Sequence, residues 1–317
     1  MRAPEARADI RREQGGKDQS GLFDALSAVS GEARAVEAKT LSQARRAAVL
    51  AGPTETRFAV LASSSAGNCS VLVQGSEQNH RLTLIDCGLS PRRTRVLLAE
   101  MGLDFDRIDD VVLTHLDRDH CYPSWARALP RHARFRIHER HRGRAKRSGL
   151  LHRTTEIFRE EQPFEVGRGI RVTPELLSHD DLGVAAFRFD LPCAKHTSRS
   201  LGYATDLGRP TPGLIGLLMG VDVLAIESNY CPAMQLASDR PEFLKSRIMD
   251  GSGHLSNAEC LDAVQAIAPR ERVVLLHLSR QCNSPEVASQ GHADSRYELT
   301  VADWDRPTAM FEVAWGE

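Results

Sequence analysis

The chain has 317 residues, 41% of them hydrophobic, and its 41 Lys and Arg nearly balance 42 Asp and Glu, which predicts a globular protein and excludes a molecule-wide field that attracts polyanions. The seven cysteines form no C-x-x-C pair, and this odd count fits reduced thiols and a cytoplasmic location better than a disulfide framework. The N-terminus lacks a signal-peptide core, and no later run approaches the roughly 20 apolar residues of a spanning helix, so we expect no membrane insertion.

Residues 1–55 are rich in Ala, Arg and Glu and contain no strand-like run. One stretch around Leu22 and Leu26 has weak helical periodicity. We therefore expect an N-terminal extension that is partly helical or disordered, or a helix that binds a partner or docks on the core. A single domain is expected over residues 56–317.

From Arg57 onwards, short apolar runs end in small or polar residues, as buried strands do. The runs are FAVLAS, SVLVQG, LTLIDCG, DDVVLTH, DVLAIES and RVVLLHLS, and the closing segments YELTVAD and AMFEVAW look like terminal strands. Helix-length segments lie between several of the runs, at residues 91–101, 124–129, 257–268 and 285–290. This mixed order of strands and helices predicts an α/β or α+β fold.

Potential metal ligands stand repeatedly where the apolar runs stop. Asp86 follows LTLI, Asp206 follows LGYAT, His277 follows RVVLL, and the segment from His115 to His120 carries four such side chains in six residues. A tight turn could point those four at a common centre. Any one of these residues alone would more often be a capping or core residue, whereas together the imidazoles and carboxylates suit zinc, manganese or iron.

These segments together resemble the metallo-β-lactamase-fold hydrolases and, within them, the bacterial YycJ-type group associated with exonuclease activity on nucleic acid. The resemblance spans about residues 57–290, and the segments that carry it, in the family's order, are LASSSAGNCSVL, LIDCG, LTHLDRDH, LSHDD, LGYATDLG, ESNYCPAM, GHLSN and LLHLSRQCN. It implies a four-layer αββα sandwich with the site at one edge, between the two sheets.

The resemblance also implies two divalent metal ions, which would be zinc, manganese or iron. The ligands of the first ion would be His115, Asp117 and His179. The ligands of the second ion would be Asp119, His120 and His277. Asp206 would bridge the two ions, and Asp86 would orient or join the second position.

One position departs from the family's usual H-x-H-x-D-H motif, because Asp117 stands where the second histidine is expected. A carboxylate is a harder, anionic ligand, so the exchange should lower the net charge of the site and favour manganese or iron over zinc. The alternatives are that the first ion binds weakly, or that the site holds a single ion or is inactive.

Two adjacent ions would lower the pKa of a bridging water molecule and so supply hydroxide near neutral pH. We expect this hydroxide to attack a phosphodiester, with Asp119 helping to orient it. His254 and Ser256 stand at the start of a predicted helix, where backbone amides attract phosphate, and the related nucleases use a similar segment for this purpose. His254 is therefore predicted to bind phosphate or to protonate the leaving group, against the alternative of a structural histidine.

The loop of residues 63–68 between the first two strands offers exposed amides and hydroxyls. It is either a plain hairpin turn or, as the resemblance suggests, a loop at the substrate edge with Ser65 and Asn68 as contacts. Asn229, which follows the run DVLAIES, is a further candidate for contact with the substrate or the site.

Residues 127–153 contain ten Lys or Arg, four His and a single acid, Glu139. Such a segment could follow a phosphate backbone, and binding would then weaken with salt. The alternative is a solvated helix and loop balanced by acids elsewhere in the fold.

The sequence thus predicts a phosphodiesterase or nuclease that acts on single-stranded nucleic acid ends, with nucleic acid or another phosphodiester as its partner. A hydrolase of a small thioester, lactone or cyclic phosphodiester is the main alternative, because the same fold and metals serve acyl transfer. A non-catalytic metal-binding protein is the second. The roughly 70 residues between Asp206 and His277 leave no room for the insert of the RNA-processing β-CASP branch, and a cytoplasmic location disfavours β-lactam hydrolysis.

Overall fold

The computed structural model describes residues 55–152, 154–160, 162–193, 199–251 and 253–314. The predicted N-terminal extension therefore lies outside the described residues except for Glu55, and the first strand begins at Thr56. Among the described residues, no helix has the length and apolar character needed to cross a membrane.

The described strands form two mixed sheets of seven strands each. The strands of the first sheet are β1 (Thr56–Ala62), β2 (Cys69–Gly75), β3 (His80–Ile85), β4 (Ile108–Val112), β5 (Arg134–His138), β6 (Thr155–Phe158) and β14 (Phe311–Ala314). The strands of the second sheet are β7 (Phe164–Val166), β8 (Ile170–Leu177), β9 (Val184–Leu191), β10 (Arg199–Ala204), β11 (Val223–Glu227), β12 (Arg272–Leu276) and β13 (Glu298–Val301). The spatial orders are β14-β1-β2-β3-β4-β5-β6 and β13-β12-β11-β10-β9-β8-β7.

Helices cover the outer face of each sheet. The helices are α1 (Pro91–Glu100), α2 (Trp125–Ala128), α3 (Arg142–Arg147), α4 (Pro212–Leu218), α5 (Pro232–Ala237), α6 (Glu242–Met249), α7 (Asn257–Ile267) and α8 (Pro285–Ser289). Three of them begin with a capping side chain followed by proline: Ser90, Thr211 and Ser284 cap α1, α4 and α8.

Both faces of the central strands are buried, which explains why their sequences are almost continuously apolar. In β3, Leu84 packs with the helices outside the first sheet, whereas Ile85 belongs to the core between the sheets. In β12, Leu276 joins that central core and Leu275 packs under the helices of the second sheet. This alternation, with a period of two residues, produces three apolar layers and confirms the predicted four-layer αββα sandwich.

The parallel strands bring one edge of each sheet together. Strand β3 pairs parallel with β4, and β10, β11 and β12 pair parallel with one another. The carboxyl ends of these five strands, and the loops that follow them, therefore lie along one edge of the sandwich. The candidate ligands that the sequence places after these strands are carried to the same edge.

The basic segment 127–153 is not one continuous cationic surface. It contains the whole of β5, where Arg136 is buried and its guanidinium pairs with Asp110 and Glu156. The predicted alternative, charges balanced by acids elsewhere in the fold, is therefore right for this part of the segment. Arg127 and Arg131 are exposed, and they line a groove of about 380 Å³.

Candidate metal centre

Three candidate ligands occupy a backbone conformation that non-glycine residues rarely adopt. Asp86, Asp206 and His277 have φ values of 60°, 53° and 56°, each at or just after the end of a strand. The left-handed conformation turns the chain sharply as it leaves the sheet and costs energy that the surrounding structure must supply. Strain of this kind clusters at functional sites, and here it falls on three residues that the sequence singled out.

The loop from His115 to His120 makes the tight turn that was predicted. The amides of His120 and Cys121 both donate to the carbonyl of Asp117, at 2.9 and 2.7 Å. The neighbouring loops hold the turn from outside, because Asn68 N donates to the carbonyl of Asp119 at 2.7 Å. Gly88 lies so close that a Cβ atom there would stand 1.7 Å from the Asp119 carbonyl oxygen, so the glycine is needed for this close approach.

Five histidines form a closed ring around the site. The ring centroids of His115 and His120 are 4.2 Å apart, those of His120 and His277 are 5.4 Å apart, and those of His277 and His254 are 5.2 Å apart. The circuit closes through His179, whose ring lies 5.9 Å from His254 and 5.4 Å from His115. Residues that are up to 162 positions apart in the chain thus meet in one small space.

Carboxylates complete two groups of potential ligands. Within each group the donor atoms all lie within 4.8 Å of one another. The members of the first group are His115, Asp117 and His179. The members of the second group are Asp119, His120 and His277. Asp206 forms a further group with His115 and His120, and its Oδ2 lies 2.8 Å from His120 Nε2, so it stands between the two sets.

Asp86 supports His120 from behind. Its Oδ2 accepts a hydrogen bond from His120 Nδ1 at 2.7 Å, and both of its oxygens accept from the Thr114 hydroxyl at 2.9 Å. Asp86 is fully buried, and both of its carboxylate oxygens already accept hydrogen bonds from protein groups, on the Nδ1 side of the His120 ring. Of the two predicted roles, this geometry favours orienting His120 over joining the ligands.

Glu227 is a functional candidate that sequence reasoning missed. It is the last residue of β11 and is fully buried, and its Oε1 accepts from Nδ1 of both His254 and His277 at 2.8 Å. Its Oε2 accepts from the amide of Leu207 at 2.8 Å. The available signal was a glutamate at the end of an apolar run, the same signal that identified Asp86 and Asp206.

The buried charges perturb one another strongly. Although burial by itself lowers the pKa of His277, the carboxylates of Asp206, Asp119 and Glu227 raise it to about 10. The pKa of Asp206 is well below its ordinary value, because the nearby imidazoles of His277 and His120 outweigh the effect of burial. Burial, reinforced by the neighbouring His120, lowers the pKa of His115 well below its ordinary value. Buried groups with shifts of this size in one cluster are typical of functional sites.

The chemistry of the donors fits divalent metal ions. Nitrogen and oxygen ligands without thiolate are the set that catalytic zinc, manganese and iron use in proteins. Nδ1 of His179 is buried and has no hydrogen-bond partner among the described residues, although buried imidazole nitrogens are ordinarily satisfied. The three-ligand groups would each leave coordination positions for water and substrate.

The predicted substrate contacts are only partly accessible. His254 is 23% exposed in its side chain and faces the ring of histidines, which keeps it a candidate, and Ser65 is exposed at the tip of its loop. Ser256 is buried, because its hydroxyl and amide form the capping box of α7 with Glu259. The Asn257 amide also donates, to the Tyr230 carbonyl, so the predicted anion site at this helix start is largely occupied by protein.

Asn68 and Asn229 hold the backbone of the site in place. Asn68 is buried, with its amide nitrogen donating to the carbonyls of Ser64 and Asp119. Asn229 is also buried and donates to the His277 carbonyl at 2.7 Å. The polar groups of these two residues and of Ser256 already bond within the protein, which argues against direct contact with a substrate, and their predicted substrate contact stays a prediction.

Comparisons with known proteins agree with this fold. A family model described as beta-lactamase superfamily domain matches residues 81–278. The chain is 26% identical over 254 residues to exodeoxyribonuclease WalJ of Streptococcus pneumoniae, covering 78% of this chain and 89% of the relative. It is 26% identical over 243 residues to exodeoxyribonuclease YycJ of Bacillus anthracis, covering 73% and 85%. The metallo-beta-lactamase fold protein YhfI from Bacillus subtilis superposes with a TM-score of 0.58 at 16% identity, covering 81% of this chain and 99% of that one.

Proposed function

Because the chain belongs to the beta-lactamase superfamily, we propose that it is a metal-dependent phosphodiesterase that removes nucleotides from the ends of single-stranded DNA. The observation that carries the proposal is the position of Asp206 between two groups of three potential ligands. Such an arrangement suits two ions that share one carboxylate. The names of the two relatives, both called exodeoxyribonucleases, favour DNA over other phosphodiesters.

Two bound divalent ions would supply an activated water molecule near neutral pH and would neutralise charge on a phosphoryl group. Their ligands would be the two groups described above, with Asp206 shared. Zinc, manganese and iron all suit these donors, and the exchange of imidazole for carboxylate at Asp117 favours the harder manganese or iron.

Asp119 and His254 are the side chains that we assign to the reaction itself. Asp119 Oδ2 lies 3.4 Å from His277 Nε2 and 3.6 Å from His120 Nε2, and the carboxylate is 27% exposed, so it can both bind an ion and orient an attacking water molecule. His254 turns Nδ1 to the buried Glu227, which fixes the ring and leaves Nε2 for the substrate. A histidine held in this way can donate a proton to the leaving oxygen.

The test is hydrolysis by the purified chain with manganese or zinc. End-labelled single-stranded DNA, the matching RNA and bis-p-nitrophenyl phosphate are the substrates, and Asp206→Asn removes the shared ligand. Asp262→Asn, a change of the same kind on the exposed face of α7, is the matched control. We expect stepwise shortening of the DNA by the original chain and the control, and none by Asp206→Asn.

Two other outcomes would replace the proposal. Cleavage of the small ester without either polymer would assign the site to small-molecule phosphodiesters. Metal binding without hydrolysis of any of the three would favour a non-catalytic metal-binding protein.

A further inference from the structure

Arg144 lies beside the one candidate ligand that departs from the family's motif. Its Nη1 donates to Asp117 Oδ1 at 2.6 Å, and the same atom lies 3.9 Å from Asp180 Oδ2. Asp180 directly follows His179, so the guanidinium joins the two loops that carry the first group of ligands. The side chains of Arg144 and Asp117 are 35% and 37% exposed, which places the pair at the mouth of the site.

The surrounding structure fixes the backbone from which Arg144 reaches the site. Arg144 lies in α3, directly after a short 3-10 turn that contains His141. His141 is buried, and its Nε2 donates to the carbonyl of Gly183 at 2.9 Å, in the loop that follows His179. The helix is thus docked on the His179 loop at two points, and Arg144 is the one that also reaches Asp117.

The ion pair engages only one oxygen of Asp117. Oδ1 accepts from Arg144, while Oδ2 lies 3.9 Å from His115 Nε2 and faces the other ligands of the first group. The pair resembles a neutral imidazole in two respects. It turns one ligand atom towards the metal position, and the guanidinium balances the charge of the carboxylate. An unpaired carboxylate would instead add a full negative charge and could offer both oxygens to an ion.

We propose that Arg144 sets the affinity of the first metal position, by balancing the charge of Asp117 and by restricting this carboxylate to a single ligand oxygen. The inference rests on the proposed metal centre and adds to it a positioning residue. A positive charge a few ångströms from a divalent ion weakens its binding by on the order of tenfold, even at a dielectric constant near that of water. Orienting a partly exposed carboxylate is worth less, since many exposed ion pairs contribute nothing measurable to stability. Loss of the positive charge therefore determines the sign of the change, and we expect a variant without it to bind the ion more tightly.

The test is a titration of the metal-free protein with Mn²⁺, in which free Mn²⁺ is counted by electron paramagnetic resonance. Arg144→Met is expected to bind the weaker of two ions about tenfold more tightly than the original chain does. Arg144→Lys retains the charge and is expected to stay within about twofold of the original. Arg142→Met is the matched control, because Arg142 is an exposed arginine at the start of the same helix, α3.

The same substitution made in the Asp117→His variant tests whether the effect depends on the pair of Arg144 and Asp117 or on positive charge in general. In Asp117→His, only the longer contact with Asp180 still holds the guanidinium near the site, so adding Arg144→Met is expected to change the affinity clearly less than it does in the original chain. Equal affinities of the original chain and Arg144→Met, or a weaker affinity in the variant, would overturn the inference while leaving the metal centre intact. If the original chain and Arg144→Met bind no Mn²⁺, both the inference and the proposed function fail.

Discussion

Nδ1 of His254 lies 2.8 Å from Oε1 of Glu227, a fully buried carboxylate that receives an equally short contact from Nδ1 of His277. One glutamate thus fixes the rings of a proposed metal ligand and of the proposed proton donor. The arrangement couples the two functions of the site through a single buried carboxylate.

Replacement of Glu227 by Gln should lower both activity and metal affinity. Whichever way the amide lies, its NH2 group meets a hydrogen-bond donor, either the two imidazoles or the Leu207 amide. We expect a 10- to 100-fold loss of metal affinity or turnover, as is usual when the hydrogen-bond partner of a ligand is removed. Steady-state hydrolysis and metal titration measure the loss, with Glu312→Gln, at an exposed position of β14, as the control. Wild-type values for both quantities would show that Glu227 is only structural.

Asp86→Asn tests whether this residue orients a ligand or serves as one. If it orients His120 through Nδ1, the variant should still bind two ions, with about 10- to 100-fold weaker affinity at the second position. If Asp86 is itself a ligand, the second ion should be lost altogether at accessible concentrations. Elemental analysis after dialysis against a graded chelator distinguishes the two results, and an unchanged retention of both ions would exclude either role.

Metal removal should lower the melting temperature. A ligand at 100 times its Kd stabilises the folded state by about 2.7 kcal/mol, which corresponds to roughly 5–10 °C for a domain of this size. Calorimetry of the metal-free chain before and after adding Mn²⁺ measures the difference. Asp206→Asn should show little of the increase, and an equal increase in that variant would mean that the ion binds elsewhere.

The close approach at Gly88 should not tolerate a side chain. A Cβ atom there would lie 1.7 Å from the Asp119 carbonyl oxygen and 2.8 Å from the Asn68 amide nitrogen, both of which are backbone atoms of the site. We expect Gly88→Ala to lower the free energy of unfolding by about 3 kcal/mol or more and to weaken metal binding. Gly216→Ala, in the exposed face of α4 with open space around it, should be neutral or stabilise by about 0.5–1 kcal/mol. Similar denaturation midpoints for the two variants would contradict this.

The exposed arginines of the groove beside α2 test the prediction of nucleic-acid binding. If Arg127 and Arg131 each contact one phosphate, the double replacement by Ala should reduce the slope of log affinity against log salt by about 1.4 for single strands. Fluorescence anisotropy with a labelled oligonucleotide and a catalytically inactive chain provides the slope. Arg92→Ala, an exposed site on α1, is the control. An unchanged slope would remove this groove from the binding path.

The sequence predicted mainly the strands that are apolar on both faces, because a short, continuous apolar run that ends in small or polar residues is typical of a buried strand. It predicted β1 to β4, β11, β12 and the two closing strands. It did not predict β8 and β9, whose half-buried, charged positions, such as Arg171, Glu175 and Arg188, weaken the apolar pattern. Caps and prolines located α1 and α8 to within a residue at each end.

The residues of the candidate site divide in the same way, into those that a local pattern predicts and those that it does not. Asp86, Asp206 and His277 were identified because a polar residue stood at the end of an apolar run. Glu227 ends such a run too, yet its role depends on two imidazoles, 27 and 50 residues further on, that no local pattern relates to it. The contacts of Asn68 with Asp119 and of Asn229 with His277 join residues far apart in the chain, so long-range packing determines them, whereas Ser256 forms a local capping box with Glu259.

The location of bound ions tests the central claim most directly. Crystals of the chain grown with Mn²⁺ would be measured at a wavelength that gives manganese an anomalous signal. We predict two peaks: one against His115, Asp117 and His179, the other against Asp119, His120 and His277, with Asp206 contacting both. A chain that takes up Mn²⁺ with no anomalous peak inside the ring of histidines would contradict the account.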